Sequence, residues 1–79
     1  MNIFTWLKSR FSDRAMALYL YRRGMKRAQN RDHRGATEDY DATIDMPNVP
    51  PDVKAMALYN RALMYAADGD DQKATDDLK

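Results

Sequence analysis

Residues 17–41 read ALYLYRRGMKRAQNRDHRGATEDYD, and residues 55–79 read AMALYNRALMYAADGDDQKATDDLK. Overlaid at a shift of 38, they share nine identities in 25 pairs. These are Ala17/Ala55, Leu20/Leu58, Tyr21/Tyr59, Arg23/Arg61, Ala28/Ala66, Asp32/Asp70, Ala36/Ala74, Thr37/Thr75 and Asp39/Asp77. Gly24/Ala62 and Glu38/Asp76 are close substitutions. Self-similarity at a fixed period marks repetition of one supersecondary unit. The apolar spacing is helical on both sides of a short polar break, so the unit is a helix–turn–helix hairpin.

Outward from the repeat, the pattern predicts helices over about residues 14–29, 33–46 and 53–67, and a fourth from 71 to the end. Asp13, Asp32 and Asp52 stand where N-caps are expected. Asn30, Arg31 and Asp32 break the first pair, and Asp68, Gly69 and Asp70 break the second. Pro47, Asn48, Val49, Pro50 and Pro51 separate the two hairpins. No stretch alternates in the way a strand requires, so the fold class is all-α. Within each unit, Leu20, Gly24 and Arg27 share one helix face, as do Leu58, Ala62 and Tyr65. Small residues on both helices, Gly24 with Ala36 and Ala62 with Ala74, allow close antiparallel approach. Tyr40 and Leu78 fill the space one turn further on. Arg23 with Asp39, and Arg61 with Asp77, are expected as ion pairs between the paired helices.

Read in order, the positions Leu20, Arg23-Gly24, Arg27, Ala36, Tyr40 and Pro47, then Leu58, Arg61-Ala62, Tyr65, Ala74 and Leu78, resemble the tetratricopeptide repeat. The resemblance covers about residues 14–79. It departs from the family in a period of 38 rather than 34, in Arg27 where an aromatic is usual, and in Thr43 where Ala is preferred. The extra length falls in the PNVPPD connection between hairpins. A related, longer class of helical repeat places it inside the hairpin instead. The resemblance implies antiparallel hairpins stacked as a short right-handed α-solenoid, divided as residues 13–51 and 52–79. Residues 1–12 would precede them as an amphipathic helix.

The resemblance also implies a protein–protein interaction module, an adaptor or scaffold that binds a protein or peptide segment. Its groove would be lined by the first helix of each repeat. Here that face carries Leu18, Tyr21, Arg22, Met25 and Gln29, then Met56, Tyr59, Asn60, Leu63 and Ala67. The second set holds one polar residue, which suits an apolar or helical peptide, unless another repeat, the N-terminal segment or a second chain covers it. Some members of the family grip a C-terminal carboxylate with one Lys and two Asn. Only Asn60 matches; Tyr21 and Met25 stand at the other two places, so that grip is not expected.

The remaining features bound the function. Ile3, Phe4, Leu7 and Phe11, with Trp6 at the edge, form a short amphipathic stripe. It suits a cap over the first hairpin, a docking helix, or an interfacial membrane contact helped by Lys8, Arg10 and Arg14. With no Cys and a single His, His33, no thiolate or His-rich metal site is expected. No nucleophile–base arrangement or phosphate loop appears, so neither an enzyme nor a cofactor is expected. No apolar run is long enough to span a membrane and no signal peptide is evident, so the default location is cytoplasmic.

The 13 Lys and Arg nearly balance the 12 Asp and Glu, for a net charge of +1. The balance is uneven along the chain. Residues 1–34 carry nine cations and two Asp, for +7, and residues 35–79 carry four cations and ten carboxylates, for −6. The basic half makes an anionic surface, RNA or membrane lipid, the alternative partner, although the near-neutral total argues against nucleic acid. The same asymmetry favours basic-to-acidic contact between copies. The second repeat ends about seven residues short of the family's length. A longer parent chain, or self-association through the uncovered repeat end, is therefore expected.

Overall fold

The structure is a computed structural model that describes Ile3 and residues 12–79. The expected amphipathic segment, residues 1–12, lies outside the described residues except for Ile3 and Ser12. Four helices and no strand are present among the described residues: α1 (Asp13–Gln29), α2 (His33–Ile44), α3 (Pro51–Ala67) and α4 (Asp71–Leu78).

The two tight turns are built alike. After α1, the Arg31 N–H reaches the Ala28 carbonyl at 3.0 Å, and the Asp32 N–H reaches the Arg27 carbonyl at 2.8 Å. After α3, Gly69 bonds Ala66 at 3.0 Å and Asp70 bonds Tyr65 at 2.8 Å. This double bond pattern satisfies the last carbonyls of a helix and needs a left-handed residue just past its end. Arg31 (φ 63°) and Gly69 (φ 82°), 38 residues apart, are those residues. Each turn then caps the next helix with a carboxylate. Asp32 accepts from the Gly35 N–H at 3.0 Å, and Asp70 accepts from the Lys73 N–H at 3.1 Å.

Three boundaries differ from expectation. Ser12, not Asp13, caps α1: its hydroxyl accepts from the Ala15 N–H at 3.0 Å, which places Asp13 inside the first turn. α2 ends at Ile44 rather than Met46, because Pro47 disfavours helical backbone at the residue before it. α3 starts at Pro51, with Pro50 at the cap position and no side-chain cap. A proline at the first helical position lacks an N–H that would have no intrahelical acceptor. Asp52 falls in the first turn of α3 and receives Arg14 from α1 in a two-pronged pair at 3.0 and 2.9 Å.

The core is built mostly from small side chains. Ala17, Ala36, Val53 and Ala57 are fully buried, with Tyr21 and Tyr40 between them. Gly24 of α1 meets the Tyr40 ring of α2 directly. Arg27 and Asp39 lie closer to the turn, so the two helices run antiparallel. α3 packs on both α1 and α2, and α4 packs on α3. Leu18, Met25, Ala28, Ile44, Met46, Val49 and Met64 complete the apolar contacts as half-buried side chains.

Candidate functional site

The paired helices of each hairpin are clamped by one Arg–Asp pair. Arg23 donates through Nε and Nη2 to the two Asp39 oxygens, at 3.0 and 2.8 Å. Arg61 donates in the same way to Asp77, at 2.8 and 2.7 Å. Hydrogen bonds to these carboxylates push both guanidinium groups above the ordinary arginine pKa. Each pair recruits one more charge. Arg27 approaches the buried Asp39 at 3.3 Å, which accounts for a cation where an aromatic was expected. Arg61 also donates through Nη1 to Asp41 of α2 at 2.8 Å, tying the second hairpin to the first. At the place equivalent to Arg27, the Tyr65 ring lies against Arg61 and Lys73, at 5.7 and 5.5 Å.

Two further polar contacts join the hairpins. The Asn60 amide donates to the Tyr21 hydroxyl at 2.9 Å and to the Met56 carbonyl at 2.9 Å. His33, at the start of α2, places Nδ1 3.2 Å from an Asp68 oxygen. The His33–Asp68 contact links two turns 35 residues apart and has no signature within either repeat alone. Its nearest sequence signal is the 38-residue repeat, which places the two turns at equivalent positions.

The residues assigned to the groove separate into two groups. Tyr21, expected on an open face, is 9% exposed, tilted against Tyr40 at a ring separation of 6.1 Å, with Asn60 on its hydroxyl. Leu18 and Met25 are half-buried against the core, while Arg22 and Gln29 are exposed. On α3 the equivalent apolar residues are open: Met56 is 38% exposed, Tyr59 56% and Leu63 46%. They occur at intervals of three and four, so they form one stripe. Leu78 of α4 is also open, at 61%. The stripe that holds the second hairpin on α1 is thus repeated on α3 with its surface uncovered.

The outer side of α1 is cationic. Ala15, Tyr19, Arg22, Arg23 and Lys26 line a shallow hollow on the outer side of α1. Tyr19 is 58% exposed, with the Arg23 guanidinium 5.5 Å from its ring centre. Among the described residues, no cluster of His, Asp or Glu is placed to hold a metal ion, and no helix is long and apolar enough to cross a membrane. No protein-family model, curated protein or solved structure matches the chain.

Proposed function

We propose that this chain is a helical-repeat interaction module of the tetratricopeptide type, with its hairpins stacked as a short right-handed solenoid. It acts as an adaptor that takes a partner's apolar helical segment on the face of α3. The observation that carries this proposal is the open stripe of Met56, Tyr59 and Leu63. Large side chains on a folded surface concentrate where a partner excludes water, and Tyr and Met are suited to such contacts. The stripe has the spacing that accepts an amphipathic helix.

Anionic-surface binding has weaker support. Of the seven cations in residues 12–34, Arg14, Arg23, Arg27 and Arg34 already face carboxylates. A cation so engaged releases fewer counterions from a phosphate chain. Selection of helical peptides from a display library, then titration calorimetry, tests the proposal. A selected peptide is expected to bind the full chain and to lose about tenfold or more in affinity for Leu63→Glu, or about 1.4 kcal/mol. Failure to select any peptide, or selected binding indifferent to Leu63, would count against it.

A further inference from the structure

We propose that the open face of α3 and α4 is the seat for α1 of a second copy of this chain. Copies then stack head to tail, repeating the step that relates the two hairpins within one chain. The inference rests on the proposed repeat architecture and names an occupant for the same face.

The internal junction is the template. There α3 sits on the stripe Leu18, Tyr21 and Met25 of α1, presenting Val53, Ala57, Asn60 and Met64. The stripe's equivalents, 38 residues on, are Met56, Tyr59 and Leu63, all exposed. The equivalents of the presented residues, 38 back, are Ala15, Tyr19, Arg22 and Lys26, and all four line the hollow on α1. The unfilled seat and the unseated helix are therefore the two ends of one molecule. The occupant continues an interface that the chain already makes with itself.

Charge agrees with this direction. α1 carries Arg14, Arg22, Arg23, Lys26 and Arg27 against Asp13, while α4 carries Asp71, Asp76 and Asp77 against Lys73. Stacking end to end brings the basic end of one copy to the acidic end of the next. The polar contacts can be transposed one by one. Tyr21 with Asn60 becomes Tyr59 with Arg22 of the second copy, a hydroxyl accepting from a guanidinium. Arg14 with Asp52 becomes Asp52 with Arg14 of the second copy, a contact that adds a second guanidinium to a carboxylate already paired within its own chain. His33 with Asp68 becomes Asp71 with Asn30 of the second copy. One transposition is unfavourable: Asp41 with Arg61 becomes Lys79 opposite Arg23 of the second copy. The misfit gives the inference its own signature, because removing the like charge should tighten the contact.

A heterologous contact of this kind does not close on itself and gives an open series of oligomers. Sedimentation velocity on the full chain, over a range of concentration and salt, should show such a series weakening as salt rises. Tyr19→Glu blocks the head and Leu63→Glu blocks the tail. Both positions are exposed, and circular dichroism checks that each variant keeps its helices. Each variant alone should sediment as a monomer, while an equimolar mixture should form a one-to-one dimer. Lys79→Glu should associate several-fold more tightly than the parent. A parent chain that stays monomeric at several hundred micromolar overturns the inference. So does Tyr19→Glu self-associating like the parent, which would mean a symmetric contact between α3 faces. A monomeric parent that still binds a selected peptide through Leu63 removes the stacking and leaves the docking function standing.

Discussion

Tyr21 and Tyr59 occupy the same place in successive hairpins, yet Tyr21 is 9% exposed and Tyr59 56%. The difference lies in what packs across each ring. Asn60 of α3 sits on the Tyr21 hydroxyl, and no described residue takes the corresponding place over Tyr59. Two identical residues in equivalent helices thus separate a structural role from a surface one. Tyr21→Ala is expected to lower unfolding stability by about 3 kcal/mol, as for other buried aromatics. Tyr59→Ala should stay within about 0.5 kcal/mol of the parent. Urea denaturation of the two variants measures both.

Gly24 is required by the Tyr40 ring. A methyl group there would lie 2.7 Å from Tyr40 Cε1 and 3.2 Å from Asp39 Cβ. Tyr40 is 1% exposed, so its ring cannot swing out into solvent to make room. Alanine is the better helix former by about 1 kcal/mol, but overpacking a tight site costs about 1–3 kcal/mol. Gly24→Ala is therefore expected to lose about 1 kcal/mol net. The second hairpin carries Ala62 at this place, and its counterpart of Tyr40 is the open Leu78.

The two left-handed turn positions carry unequal residues. Gly69 adopts φ 82° without a Cβ penalty, whereas Arg31 adopts φ 63° against one. Arg31→Gly should raise stability by about 0.5–1 kcal/mol after glycine's extra chain entropy is counted. Gly69→Ala should lower it by about 1 kcal/mol. Thermal melts of the two variants should move in opposite directions.

Ion pairs should differ by burial. Asp39 has a buried carboxylate, while Arg14 and Asp52 are both more than half exposed. A double-mutant cycle on Arg23 and Asp39 is expected to show coupling of about 1 kcal/mol, discounted for the partly exposed Arg23. That coupling should largely survive molar-range salt, and the coupling between Arg14 and Asp52 should be screened away. The Arg14 hydrogen bond also holds the Asp52 carboxyl below its usual pKa. The small stability it contributes is present above the unfolded carboxylate value and fades as pH falls through the folded one.

Tyr40 should govern the alkaline limit. Burial, then the fields of Tyr21 and Asp39, raises its pKa above the ordinary 10.0. The folded state therefore holds this proton more tightly than the unfolded chain does. The resulting stability is complete below pH 10 and is lost as pH rises through the folded value. Melting temperature measured from about pH 9 to about pH 12 should fall more steeply for the parent than for Tyr40→Phe.

Much of this arrangement was legible in the chain. The nine identities at a shift of 38 located both hairpins, the proline cluster located their junction, and the Arg–Asp recurrence located the clamps. Local competition moved the boundaries. The Ser12 hydroxyl reached the free N–H ahead of Asp13, and Pro47 denied α2 its last two residues. The covering of Tyr21 was less accessible. Helical periodicity assigns a residue to a face but does not say what lies across from it. The repeat held that information in Asn60, 39 residues away, once α3 is set beside α1. The exposed stripe on α3 obeys the same logic: it repeats the spacing of the α1 stripe, and periodicity alone does not say that it stays open.

Nitrogen–proton correlation spectra of the labelled full chain, titrated with the tightest selected helical peptide, test the docking face most directly. The shifts should concentrate at Met56, Tyr59 and Leu63 and on the adjoining surface of α4, with the buried Ala17 and Ala36 amides undisturbed. Shifts centred instead on Arg22 and Lys26, with the α3 stripe unmoved, would contradict the assignment of α3 as the docking face.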